Sequence, residues 1–379
     1  MDKVGLYIHW PYCARICPYC DFNIYKNKPA KEDDLTAAIL EDMKHWRAQS
    51  GARHLASIHF GGGTPSLLSA DNMQLIIDLA RDLWQPPAGL EIGLEANPND
   101  ITSARLQAWR AAGIERLSIG VQSFDDSVLK FLGRDHDGAQ GLEAVSTAVQ
   151  IMPRVSADLI YGWAGQSLSH WRGDLSAALA AGATHISAYQ LTIEKRTAFA
   201  RAEARGQARA VSDDTSADLY ELGRELLERA GFDQYEVSNF AKTNAARSRH
   251  NLLYWQGADY IGIGPGAHGR LTYENKRLAT IASLKPDDYI TRVKSTGNGI
   301  TTTEILTPES RAQEYLLMGL RITEGINLGR YEQMCGRPVN PKAAAQYIAA
   351  GLLQRNGEHL AATQAGRLVL DSLSHELLS

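Results

Sequence analysis

The run CARICPYC, residues 13 to 20, holds three of the four cysteines of this 379-residue chain, with the fourth far away at Cys335. Three residues separate Cys13 from Cys17, and two separate Cys17 from Cys20. A structural zinc site calls for four ligands, often as two close pairs, and no fourth thiol or paired histidine lies near this trio. A redox pair could use Cys17 and Cys20 but leaves Cys13 without a task. A [4Fe-4S] cluster takes one thiolate per iron, so three thiolates leave one iron with an open position. That iron can hold the amino and carboxylate groups of S-adenosylmethionine. An electron from the reduced cluster can then break the sulfonium S–C5′ bond and release a 5′-deoxyadenosyl radical. The spacing points first to this chemistry.

Other chemically active residues follow apolar runs at regular intervals. GGGTP begins at Gly61, and Glu95, Gln122 and Asp158 come at or near the ends of later runs. Three successive glycines let a backbone edge approach a ligand with no Cβ in the way, although a tight strand-to-helix turn would also use them. Glu95 and Asp158 are acceptors suited to ribose hydroxyls or an ammonium group. Gln122 both donates and accepts, and Arg134 offers a fork matched to a carboxylate.

These residues need elements to position them. Strand-like runs occur at Val4–His9, Ser57–Phe60, Glu91–Glu95, Arg116–Val121, Arg154–Ile160 and His185–Gln190. Helical spacing fills the gaps, at Leu35–Gln49, Ala70–Leu83, Thr102–Ala112, Asp125–Ala148 and Ser167–Ala181. Six strands alternating with helices predict a parallel α/β sheet, whose ligands bind at the carboxyl ends of the strands. Periodicity alone does not say whether that sheet is open or curled.

The expected division is a barrel-like unit over 1–190, a connecting region over 191–304 and a smaller domain over 305–379. The last reads as helices ending in a short hairpin, a winged-helix-like pattern. Its seven Lys/Arg and seven Asp/Glu give it no basic footprint, and the whole chain carries a formal net charge of −4. Nucleic acid is therefore not an expected partner. The four cysteines do not make a secreted disulfide framework. No signal-peptide core opens the chain and no long apolar run appears, so a cytoplasmic protein is expected.

Taken together, CX3CX2C, GGGTP, LEANPND, LSIGVQSFDDSVLKFLGR and DLIYGWAGQ resemble the radical-SAM proteins related to oxygen-independent coproporphyrinogen III oxidase. The resemblance covers the barrel-like part almost completely and continues more weakly through the carboxyl-terminal domain. It implies a (β/α)6 partial TIM-like barrel carrying the cluster and its cofactor in the mouth. It implies Cys13, Cys17 and Cys20 as iron ligands, with Tyr7 and Tyr19 beside S-adenosylmethionine. Gly62, Gly63 and Thr64 would line its methionine end, and Glu95, Gln122, Arg134 and Asp158 would make polar contacts.

Two subgroups of that family differ. The decarboxylating oxidases carry CX3CX2CXC and a longer amino-terminal extension. Here CDFN puts Phe22 at the place of the extra cysteine, and the first cysteine already stands at position 13. Both departures match the related haem-chaperone group, which implies haem as a third bound group and haem-accepting proteins, such as respiratory haem enzymes, as partners. An electron donor for the cluster is a further implied partner. HNLLYW, His250 to Trp255, matches the HNxxYW signature of that group and makes His250 the candidate haem contact. Physically, an imidazole can ligate haem iron and aromatic rings offer flat apolar surface.

GIGPGAHG, residues 262 to 269, formally contains GxGxxA, but no amphipathic helix follows; it reads as a glycine-rich loop near the barrel mouth, with His268 a loop histidine in the first place and a second haem neighbour as the alternative. Arg196, Arg201, Arg205 and Arg209 recur as if along one helix face. That face is solvated, or available for haem propionates or peripheral contact with acidic lipid.

Overall fold

The computed structural model describes residues 3–86, 88–274 and 276–378. Its central sheet has twelve strands. The first six are β1 (Lys3–Trp10), β2 (His54–Gly62), β3 (Glu91–Ala96), β4 (Arg116–Gln122), β5 (Arg154–Tyr161) and β6 (His185–Gln190). They pair in sequence order and all parallel. These are the six strands expected from the apolar runs, with ends moved by up to three residues.

Alternation along each strand explains both faces of this sheet. Val4, Leu6 and Ile8 of β1, Ile58 and Phe60 of β2, Ile92 and Leu94 of β3, and Leu117 and Ile119 of β4 are fully or nearly fully buried in one apolar core with the surrounding helices. Each such large side chain contributes about 1.5–3 kcal/mol of burial free energy. The intervening positions are Gly, Ser, His, Glu, Asp and Tyr, and they hydrogen-bond to one another. Ser118 and Ser156 donate to Asp158 at 2.8 and 2.9 Å, and His59 meets Glu95 at 3.0 Å. A single cavity is lined by Gly62, Glu95, Gln122, Asp158 and Tyr189, from five successive strands. Only a curled sheet brings those strands around one space. The curl does not close, because β1 and β6 each pair on their outer sides with other strands.

The connecting region supplies those outer strands: β7 (Asp233–Glu236), β8 (Asn239–Ala241), β9 (Asp259–Ile263), β10 (His268–Tyr273), β11 (Lys276–Ala282) and β12 (Ile300–Leu306). β8 joins β6 antiparallel. β9 joins β1 parallel, which adds a seventh parallel strand that its short, glycine-rich sequence did not announce. Between β8 and β9 runs the helix Arg249–Trp255, which carries HNLLYW. It packs against β1, β2 and β3, and Leu253 and His250 lie against Gly5 near the start of β1.

A second apolar core is formed by Ala312, Leu316, Leu320, Tyr331, Leu353, Leu360 and Leu373. Its helices Pro308–Gly319, Leu328–Cys335 and Pro341–Ala349 precede the hairpin Leu353–Asn356/His359–Ala362, the helices-then-hairpin order expected. A bidentate contact from Arg321 to the buried Glu236, at 2.6 and 2.9 Å, joins this core to the edge of the large sheet.

Two expected helices differ in the structure. The segment Asp125–Ala148 is two helices, Asp126–Phe131 and Gly138–Ile151. Gly133, at φ +69°, breaks it and puts Arg134 in the gap. The arginine-rich run holds only a short helix, Ala198–Glu203. Its four arginines therefore share no helix face, and Arg209 instead stacks over Phe131 and Phe199.

Candidate functional site

The thiols sit on a loop pinned at its base. Tyr12–Cys13 pairs with Tyr25–Lys26, and the Asn27 N–H donates to the Cys13 carbonyl at 2.9 Å. Between these ends the loop is held by Cys20 N–H to Cys17 O at 3.3 Å and Phe199 N–H to Pro18 O at 3.0 Å. The loop after β2 is zipped to the segment that delivers Cys13: Gly63 and Thr64 N–H groups donate to the Trp10 and Tyr12 carbonyls, both at 2.8 Å. This accounts for two of the glycines in GGGTP. A Cβ on Gly63 would stand 2.7 Å from the Tyr12 carbonyl oxygen, and one on Gly62, at φ +109°, would stand 2.6 Å from the His9 ring.

Cys13, Cys17 and Cys20 all line the cavity of about 450 Å³ at the carboxyl ends of the strands, and none is in a disulfide. The same cavity is lined by Tyr19, Gly62, Gly63 and Thr64 from the two loops, and by Glu95, Gln122, Arg134 and Asp158. Among the described residues no three His, Cys, Asp or Glu side chains converge as a single metal ion would require. A cluster with one thiolate per corner needs no such convergence. Burial pushes the Cys13 thiol up, and burial with the neighbouring thiols pushes Cys20 up to about 11. Both are therefore neutral until a cation arrives, and iron would supply that cation. The donor set and its glycine-walled cradle fit a three-thiolate cluster with an amino-acid-bearing cofactor beside it.

Individual side chains refine the expectation. Glu95 accepts from the Gly62 N–H at 3.2 Å as well as from His59, so its carboxylate is fixed at the cavity wall. Gln122 has φ +67°, one of four non-glycine residues with positive φ among the described residues, a strained geometry that turns it off the end of β4. Asp158 is raised from its ordinary range by burial, partly offset by the hydroxyls of Ser187, Ser118 and Ser156. Arg134 differs from the expected free fork. One terminal nitrogen bonds Asn97 Oδ1 and the Gly120 carbonyl, and the other reaches Cys17 Sγ at 3.5 Å. Only its buried Nε–H lacks a partner. Arg134 thus places positive charge beside a thiol and braces the loop.

Two expected contacts lie outside this cavity. Tyr7 lines a second, adjoining cavity of about 610 Å³, where its hydroxyl meets His9 Nδ1 at 3.0 Å. His250 lines neither cavity. It is only 1% exposed, with Nδ1 at 2.7 Å from Ser57 Oγ and Nε2 at 2.8 Å from the Tyr254 hydroxyl. Its ring stacks on His59 at 4.8 Å. Burial, then His59 and Arg116, hold its pKa well below the usual imidazole range. The backbone N–H groups of His250 and Arg249 are capped by buried Glu91, at 2.7 and 3.0 Å. As folded, His250 has no nitrogen free for iron.

Sequence reasoning missed Asn97, which anchors Arg134, and Tyr254, which lines the second cavity together with His268. Asn97 was visible inside LEANPND and Tyr254 inside HNLLYW.

Comparison with known proteins places the chain among relatives. Residues 7–178 match the radical SAM superfamily and residues 306–369 match the HemN C-terminal domain. The chain is 36% identical to the heme chaperone HemW of Escherichia coli, over 98% of this chain and 97% of that protein. It is 33% identical to the HemW of Bacillus subtilis, over 96% of both. It is 37% identical to the mitochondrial radical S-adenosyl methionine domain-containing protein 1 of Bos taurus, over 100% of this chain and 88% of that one. Among solved structures, coproporphyrinogen III oxidase (HemN) of Escherichia coli superposes with a TM-score of 0.82 at 21% identity, covering 100% of this chain and 90% of that one, a likeness of fold. The chain belongs to the radical-SAM family that contains the HemW heme chaperones.

Proposed function

We propose that this chain is a haem chaperone built on a radical-SAM barrel, binding haem and handing it to acceptor proteins. The observation that carries this reading is Phe22. It stands where the oxidases' extra cysteine would be, and its ring is 62% exposed at the junction of the two cavities. An exposed apolar ring there supports docking of a large flat ligand rather than a further thiol ligand. Full-length similarity to HemW proteins supports the same choice.

In this reading Cys13, Cys17 and Cys20 hold a [4Fe-4S] cluster, and Gly62, Gly63 and Thr64 receive the amino-acid end of S-adenosylmethionine. Bound there, the cluster supplies an open iron site and an electron. Glu95, fixed by His59 and the Gly62 N–H, presents an acceptor to the cofactor. Gln122 and Asp158 present polar groups deeper in the same cavity. Arg134 steadies the charge of Cys17 and keeps the loop closed against water. Tyr7 and Tyr19 flank the cofactor's space. His250 acts from the barrel floor, where it orients Tyr254; a direct bond to iron would first require Ser57 or Tyr254 to release it. An electron donor for the cluster and a haem-accepting protein would be the partners this reading requires.

The test is anaerobic reconstitution followed by parallel assays of haem binding, haem transfer and porphyrinogen decarboxylation. Haem binding and transfer without decarboxylation is the expected result. Decarboxylation coupled to release of 5′-deoxyadenosine would overturn it in favour of an oxidase.

A further inference from the structure

The second cavity, of about 610 Å³, opens beside the cofactor cavity and shares Asp21, Phe22, Gly62 and Glu95 with it. Its size falls in the range of about 300–1,000 Å³ usual for cofactor pockets. Two histidines face it. His9 is buried, with both ring nitrogens engaged, by the Tyr7 hydroxyl and the Asn23 carbonyl, each at 3.0 Å. His268 is the first residue of β10 and is exposed, and its ring has no hydrogen-bond or ion-pair partner among the described residues. Burial and nearby Arg270 hold its pKa below the usual range, so its ring is neutral near pH 7 with a lone pair available.

The backbone that presents His268 is closely determined. Gly264 packs against the His9 carbonyl, and Gly266 packs against Asn23. The Asn23 amide in turn donates to the Pro265 and Leu284 carbonyls at 2.9 and 2.8 Å. GIGPGAHG is therefore the clamp between the cluster loop and β10. The remaining walls, although Asp21 and Glu95 stand on the side shared with the cofactor cavity, suit a flat, amphipathic ligand. Tyr254 and Tyr260 meet edge to face at 4.4 Å, and Phe22 and Leu284 are 62% and 57% exposed at the rim. Arg196 also lines the cavity, is exposed, and its side chain makes no hydrogen bond or ion pair among the described residues. It is held at φ +72°, a strained conformation of the kind that clusters at ligand sites.

We propose that haem docks in this cavity with the His268 imidazole as axial ligand to its iron, Tyr254 and Tyr260 against the macrocycle, and Arg196 paired with a propionate. The proposal rests on the haem-chaperone reading and gives that reading a site. It also gives HNLLYW a role without ligation: His250 holds the hydroxyl of Tyr254, which forms the wall. The haem would then share the Gly62–Glu95 wall with the cofactor cavity.

The test is titration of hemin into the full-length chain, read by the Soret band and by the spin state in electron paramagnetic resonance. Replacing His268 by Ala is expected to weaken binding roughly tenfold or more, as loss of a metal contact does, and to shift the Soret band; added imidazole restores the wild-type spectrum. His268→Cys is expected to give a thiolate-ligated spectrum, a gain that a merely structural role would not produce. Arg196→Ala lowers affinity less and leaves the axial signature unchanged. Wild-type affinity and spectrum in both His268 variants would overturn this site while leaving the chaperone reading intact. Failure of the wild-type chain to bind hemin would overturn the chaperone reading itself.

Discussion

The mouth and the floor of the barrel are built from opposite materials. At the mouth, the thiols and glycines lie on loops that border open cavities, and partner-free atoms remain: Arg134 Nε and the His268 ring. At the floor, the HNLLYW helix buries His250 and Leu253, and its histidine and its first backbone N–H groups are matched by Ser57, Tyr254 and Glu91. Both regions carry a recognisable motif. At the mouth the partner-free groups belong to residues that line open cavities, and there unsatisfied bonding capacity marks a place where something binds. The floor's motif works through the rigidity it confers.

The comparison is broken most directly at a thiol. Cys17→Ser is expected to abolish the iron–sulfur absorbance after anaerobic reconstitution, while the melting of the cofactor-free chain moves by no more than a surface change would, about 0.5 kcal/mol. A retained full cluster would place the ligands elsewhere. At the floor the expectation reverses. Glu91 is 1% exposed, and although burial pushes its carboxyl up, Arg154, Arg116 and the N–H groups of His250 and Arg249 outweigh it and hold the pKa low. Removing the charge in Glu91→Ala strands those arginines and is expected to cost about 3–5 kcal/mol of stability, read by denaturant unfolding. Because the folded pKa is depressed, Glu91 contributes its stability above the unfolded carboxylate pKa and loses it as the pH falls through the folded value. A variant as stable as wild type would mean the floor is not locked by this carboxylate.

His250→Ala separates the regions further. It leaves Ser57 and Tyr254 without their shared partner and is expected to cost about 1–3 kcal/mol while the cluster still assembles. Loss of the cluster with normal stability would contradict the division drawn above. The smallest effect lies away from both regions. Asp42, on the helix Glu32–Ser50, is raised to about 7, chiefly by burial, with the Tyr289 hydroxyl at 2.7 Å partly offsetting it. Its folded pKa exceeds the unfolded value of about 4, so its stabilisation is complete below that value and declines as the pH rises to about 7. Asp42→Asn is expected to melt a few degrees higher than wild type at pH 8, and to lose that advantage at pH 4. An advantage that did not vary with pH would point to a change in packing instead.

How much could be read before folding was known differs along the chain. That the three thiols and the polar residues near the ends of β2 to β5 share one rim was legible, because chain proximity and strand periodicity bring them there. The break at Gly133 was not, since helical spacing continues across it and only the left-handed turn, which aims Arg134 at Cys17, stops the helix. The expectation for His250 came from a motif, and motifs record residue types without recording burial. His268 was read as a loop residue because its strand exists only by pairing with β11 and β9.

The amino-acid order by itself determined the six parallel strands, the polar residues near their carboxyl ends and the grouping of the three thiols, since each follows from local spacing and alternation; that the sheet curls did not follow from it. Which nitrogens and side chains remain free was decided only by the tertiary structure. Hydrogen-bond satisfaction depends on neighbours nearly two hundred residues apart, as Ser57 and His250 are, and no local pattern encodes such a pairing.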